Sequence, residues 1–312
     1  MRSVYFFLLI FKQILKSMLK YSNFAIVASF FGLWIDSFVP QAFQIYVGFL
    51  LIFSFGILHG ANDLTLIKNI NPQNKAASYW KILGYYVGIV LFGALLFYLL
   101  PAFALLLFII VSGYHFGEQH WNAKIQSVPP VPKALFETSY GMLLLFMLFE
   151  FHQLQVQLII FDITGTRIPI LLIQNVFFVL LFSTIGLGFY LYFIYQANKE
   201  SIFIELFYLL VFAVLFKVSS LIWGFALYFI FWHSIPSILD QLRFLYGQAT
   251  PKTFKQYFLS AALYWVISLI GITLLYFLFR DLKLFDALFF SFLASITFPH
   301  VLVIEKMFRK ET

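Results

Sequence analysis

Long apolar runs, broken by short polar or proline-containing punctuation, set the plan of the chain. Runs of about 17–25 apolar residues suit helices that cross a bilayer, because ~20 residues at ~1.5 Å rise match a hydrocarbon core of ~30 Å. Ten such runs can be drawn, at roughly 22–39, 43–61, 79–99, 101–120, 135–152, 169–196, 202–217, 219–240, 257–279 and 284–305. Pro40 separates the first two and Pro101 the third and fourth. Asn71-Pro72 and Pro129-Pro130 mark two loops, and Pro169 starts the sixth run. Only Lys217 and two serines divide 202–217 from 219–240. No long linker, low-complexity tract, soluble-length loop or clear internal repeat interrupts the pattern. It predicts an all-α polytopic membrane helix bundle, a single integral membrane domain over 1–312. The first 20 residues differ. Arg2, Lys12, Lys16 and Lys20 surround the apolar stretch 4–11, and no small-residue cleavage site follows cleanly. This segment reads as a retained, basic interfacial helix.

Composition agrees. The chain is 62% hydrophobic and 11% charged, with a mean hydropathy of +0.93, too little polar surface to cover a soluble domain of this size. A net charge of +7 would suit nucleic acid in a soluble protein. Here it reads as loop charge facing anionic lipid, with no nucleic-acid partner. With the N-terminus placed in the cytoplasm, sixteen basic residues fall inside and four outside, the four being Arg167, Lys217, Arg280 and Lys283. That bias predicts about ten transmembrane helices with both termini cytoplasmic, multi-pass in the cell (inner) membrane.

Four of the predicted helices carry a histidine near one end. Three lie in Leu58-His59-Gly60-Ala61-Asn62-Asp63, Tyr114-His115-Phe116-Gly117-Glu118 and Trp232-His233-Ser234, and the fourth in Phe298-Pro299-His300. All four helices are even-numbered and run outside to inside, and all four histidines lie at similar depth in the inner half. His120 falls nearby at the inner interface, whereas His152 falls at the opposite face. A lone membrane histidine is more often a packing residue than a ligand, but four at one depth point to a shared metal site. Asp63 follows His59 by four residues and Glu118 follows His115 by three, on the same helical face if each helix continues. Asp240 and Glu305 follow the other two. A ligating imidazole usually passes its other N–H to a carboxylate or carbonyl. Gly56/Gly60 and Gly113/Gly117 have the spacing of close helix packing.

The absence of cysteine removes disulfides, zinc-thiolate sites and a thiol nucleophile. Zinc, copper and iron all accept imidazole. Without thiolates an electron-transfer copper site is disfavoured. One histidine per helix does not suit paired-histidine haem. Non-haem iron acting on O2 fits a buried, lipid-accessible site best, because O2 and an apolar substrate both partition into the membrane. A transporter would call for inverted repeats and broken helices around a midplane site, and neither is visible.

At these residues the chain resembles the Brp/Blh family of membrane β-carotene 15,15′-dioxygenases, found beside microbial rhodopsins. The likeness is carried, in the family's order, by Gly56-Ile57-Leu58-His59-Gly60-Ala61-Asn62-Asp63 and by Tyr114-His115-Phe116-Gly117-Glu118. Trp232-His233-Ser234 and Thr297-Phe298-Pro299-His300-Val301-Leu302-Val303 complete the set. The resemblance implies an intramembrane dioxygenase that cleaves β-carotene or a related carotenoid at its central double bond with O2, giving retinal. It implies Fe(2+) held by His59, His115 and His233, with His300 as a site residue and fourth ligand. Asp63 and Glu118 would orient ligands, and Tyr114 and Ser237 would stand beside them. A microbial rhodopsin would be the retinal acceptor. The family pattern has a further histidine four residues after the position of His233, where this chain has Ser237, and another after the aspartate, where it has Leu64. That departure leaves an alternative: a non-catalytic carotenoid- or retinal-binding carrier of the same fold.

Overall fold

The computed structural model describes residues 21–70, 79–196, 199–278 and 282–311. The basic segment 1–20 lies outside the described residues. Among the described residues there are eleven helices and no strand. They are α1 (Tyr21–Asp36), α2 (Gln41–Ile70), α3 (Tyr79–Leu99), α4 (Pro101–Trp121), α5 (Pro130–Phe151) and α6 (Gln153–Thr164). They continue with α7 (Ile170–Tyr195), α8 (Lys199–Val218), α9 (Leu221–Tyr246), α10 (Pro251–Leu278) and α11 (Leu282–Glu311). Among the described residues nine helices are long and apolar enough to cross a membrane, all but α1 and α6. The protein is therefore a multi-pass membrane bundle. The helix α1 corresponds to the first predicted run but has only 16 residues. The helix α6 lies between the fifth and sixth predicted runs, in a stretch to which no run was assigned. It begins after His152 and ends at Gly165, whose φ of 69° gives the left-handed turn that stops a helix.

Prolines start α4, α5 and α10, where the missing N–H costs no helical hydrogen bond. In the bundle α9 is the most enclosed span, with 72% of its most apolar window buried, against 11% for α3 and α7. Two tryptophans of α9 anchor α1: Trp223 Nε1 donates to the Gly32 carbonyl at 3.1 Å, and Trp232 Nε1 to Ser29 Oγ at 2.9 Å. The helices α4 and α5 touch backbone to backbone. A Cβ at Gly117 would meet the Glu137 carbonyl, and one at Gly141 would meet the Gly113 carbonyl. The predicted close packing at Gly113/Gly117 is thus made against α5.

Two helices lose α-geometry where they approach the histidines. In α2 a π-helical turn spans Ile52–Gly56, and in α9 another spans Phe229–Ser234. Such turns concentrate at functional sites because the extra residue re-aims the side chains that follow. Here they pack against each other. Gly56 makes this possible, since a Cβ there would lie 2.5 Å from Phe229 Cε1. Each turn also gives a carbonyl to an outside donor: Trp265 Nε1 to Ser54 O at 2.9 Å, and Tyr21 OH to Phe231 O at 2.6 Å.

Candidate metal centre

The four helices α2, α4, α9 and α11 bring His59, His115, His233 and His300 to one point, and all four are buried. Their rings form a closed loop, with centroids 5.0 Å apart for His59–His233 and 4.8 Å for His233–His115. His115–His300 at 5.1 Å and His300–His59 at 4.7 Å close it. All four pairs meet edge to face. Donor nitrogens of His59, His115 and His300 lie within 4.8 Å of one another. His233 borders this trio, stacked on Phe229 at 5.3 Å and edge-on to Phe116 at 4.8 Å.

The donor set suits a metal ion. Buried ring nitrogens have no hydrogen-bond partner at His59 Nδ1, at both positions of His115, at His233 Nδ1 and at His300 Nε2. A buried polar atom left unsatisfied costs about 1–3 kcal/mol. One nitrogen from each of His59, His115 and His300 converges within 4.8 Å, an arrangement that a cation would stabilise and that apolar packing would not.

Asp63 does not stay with His59, the partner its spacing predicts. The helix breaks into a turn at Ala61 and Asn62, so the four-residue helical register is lost. Its carboxylate instead crosses to α11, accepting from His300 Nδ1 at 2.9 Å and from Tyr86 OH at 2.9 Å. With Nδ1–H committed to Asp63, the Nε2 lone pair of His300 faces the other histidines. Gly60 leaves room for that ring, which lies 3.6 Å from where its Cβ would be. The break is pinned by Asn62, whose Nδ2 donates to Tyr257 O at 2.9 Å while Ser260 OH donates to its Oδ1 at 2.7 Å.

Ser237 stands one step behind the site. Its Oγ accepts from Gln241 Nε2 at 3.1 Å, and the same amide donates to the His59 carbonyl at 2.8 Å. Tyr257 OH in turn donates to Gln241 Oε1 at 2.8 Å. Position 237 therefore braces the backbone that carries His59.

The family model of the beta-carotene 15,15'-dioxygenases matches residues 50–308, a stretch that contains all four histidines. The chain belongs to that family. Comparison with the curated proteins and with the solved structures gave no match.

Within this dioxygenase framework the remaining candidates separate. Glu118 approaches His115 Nδ1 at 3.8 Å, too far for a hydrogen bond, and accepts from Tyr114 OH at 3.1 Å. Asp240 and Glu305 do not reach the histidines. Asp240 takes hydrogen bonds from Gln119 and Arg243, both at 2.9 Å, and Glu305 pairs with Arg309. His120 belongs to a separate buried network. Its Nδ1 donates to Glu205 at 3.1 Å, Tyr140 OH donates to the same carboxylate at 2.5 Å, and Lys124 completes the charge balance. His152 is remote from the cluster, at the junction of α5 and α6. There its Nε2 donates to the Phe216 carbonyl at 2.9 Å. Burial pushes that imidazole below its ordinary pKa and keeps it a neutral donor.

The residues that sequence reading missed are Tyr86, Gln241, Tyr257 and, as a bracing residue, Asn62. Each is a polar side chain in or beside an apolar run. That is the signal that could have flagged them, since a polar group at such depth needs a partner. A pocket opens over the histidines, walled by Phe53, Phe108, Phe225, Phe229 and Phe292, with Thr297 and Ser112 the only hydroxyls on its lining among the described residues.

Proposed function

We propose that the protein cleaves β-carotene, or a closely related carotenoid, at its central double bond with O2 to give retinal, using Fe(2+) held by the histidine cluster. The observation that carries this reading is the convergence of His59, His115 and His300 nitrogens, orphaned and buried, beneath a pocket walled by phenylalanines. His233 is the fourth candidate ligand. A bound Fe(2+) would supply activation of O2 for addition across the double bond. The chain does the rest. Aromatic walls bind the polyene by apolar contact and exclude water. Asp63 fixes the His300 ring, and Gln241 holds the backbone of His59. One carotene and one O2 balance two aldehydes, so no proton need be moved and no acid or base is required of the chain. Tyr114, Glu118 and Ser237 are supporting residues in this scheme.

The carrier alternative drew on Ser237. It loses weight because that serine has its own structural task and three histidine nitrogens still converge without it. The location we propose is the cell (inner) membrane, with a microbial rhodopsin as retinal acceptor. The test is expression in β-carotene-producing cells. Loss of orange colour with appearance of retinal is expected, and iron should accompany the purified protein. Unchanged pigment together with iron-free protein would overturn the reading; bound, uncleaved pigment would favour the carrier.

A further inference from the structure

The pocket over the histidines does not end there. Phe108, Ser112, Phe116, Phe225 and Leu293 line both it and a second chamber of about 110 Å³. This chamber runs along the N-terminal parts of α4 and α9 and the C-terminal end of α5. Its far wall is α6, through Val156, Ile159 and Ile163. Ser112 is the only polar side chain on the lining among the described residues. Leu105 of the chamber precedes His115 by ten residues, so the space extends about 15 Å along α4, roughly half a bilayer's hydrocarbon core.

A polyene gives a protein nothing polar to hold and repeats itself bond after bond. Apolar walls attract it but do not fix its position along the tunnel. Cutting one particular double bond therefore needs a stop at an end. We infer that the second chamber takes one hydrocarbon arm of the substrate with its terminal ring, and that α6 is the stop that sets which bond rests at the histidines. This deepens the carotenoid-dioxygenase reading and rests on it. The stop is held firmly. The helix α6 packs on α4, α5 and α11, and Gln157 Nε2 donates to the Ile168 carbonyl at 2.6 Å beyond its end.

The experiment uses full-length protein with two changes in α6: Ile159→Trp, which shortens the chamber, and Val156→Ala, which deepens it. Both are assayed on β-carotene and on an apocarotenal that lacks one terminal ring. Carotenoid retained by the purified protein is measured by absorbance as a readout independent of turnover. A hydrophobic pocket discriminates about 10–200-fold per methylene-sized change. Ile159→Trp is accordingly expected to lose β-carotene cleavage and retention at least tenfold while falling less on the truncated substrate. Val156→Ala is expected to release off-centre products of unequal length, a gain that misfolding cannot produce. If wild type cleaves β-carotene and both variants give its products in its ratio, the stop is overturned and the dioxygenase reading stands. If wild type retains carotenoid without cleaving it, unchanged retention in Ile159→Trp overturns the stop. If wild type neither cleaves nor retains carotenoid, both readings fall together.

Discussion

His300 has the best-defined role of the four histidines, because one of its ring nitrogens is committed to Asp63 and the other is left facing the cluster. His300→Ala should therefore strip the protein of iron, read as metal per protein after purification. Full iron occupancy in that variant would remove His300 from the ligand set. Asp63→Asn keeps the shape but weakens the acceptor. Loss of such an outer partner typically costs 10–100-fold in metal affinity. Competition with a chelator should show that loss, while Tyr86→Phe, which removes one of two hydrogen bonds to the same carboxylate, should show less. His152→Ala should keep iron and activity. At this scale the sequence revealed which histidines converge, through their common depth and helix direction. It did not reveal which carboxylate serves which ring. The spacing of His59 and Asp63 assumed an unbroken helix, and the turn at Ala61 and Asn62 sends the aspartate to α11 instead. A break of two residues inside an apolar run leaves no periodic trace.

Among the elements, the π-helical turns of α2 and α9 decide the shape of the site. Gly56 lies on one and Phe229 on the other, and the Phe229 ring stacks on His233. Gly56→Ala would press a methyl into that ring. Overpacking of this kind costs about 1–3 kcal/mol, so the variant should melt earlier and also bind iron more weakly. A lowered melting temperature with unaltered iron affinity would mean that the two turns are not coupled to the histidines. Gly117→Ala is expected to be worse, since the obstacle is the backbone carbonyl of Glu137 rather than a side chain that can rotate. It should fail to accumulate in the membrane. The apolar runs located the spanning helices to within several residues, because length and hydropathy are strong constraints in a bilayer. They missed α6 for the same reason. Its 12 residues are too short to span, and Gln153-Leu154-Gln155-Val156-Gln157-Leu158 alternates polar with apolar instead of following a helical period. The π turns are mostly apolar, and Ser54, His233 and Ser234 within them carry no periodic signal that announces a change of helix geometry.

For the whole molecule the open question is orientation. Successive spans alternate in direction, so α2, α4, α9 and α11, the first, third, seventh and ninth candidate spans among the described residues, run the same way. Counted on the ten predicted runs, the split of sixteen basic residues to four leads to the expectation that their C-terminal ends are cytoplasmic. On that expectation the chamber under α6 would lie in the outer half. The chain contains no cysteine, so a single introduced thiol reports its side without background. Ser127 is exposed in the loop between α4 and α5, and Thr166 is exposed in the loop between α6 and α7. In intact cells a membrane-impermeant maleimide should label Thr166→Cys and leave Ser127→Cys unmodified until the membrane is opened. The reverse pattern would invert the bundle and put the histidines near the outer face. Labelling of both in intact cells would mean that α5 does not span. Labelling at Thr166 alone would fix α6 on the outer side, so that on the proposed function the arm of the carotenoid held in the chamber would extend toward the outer leaflet.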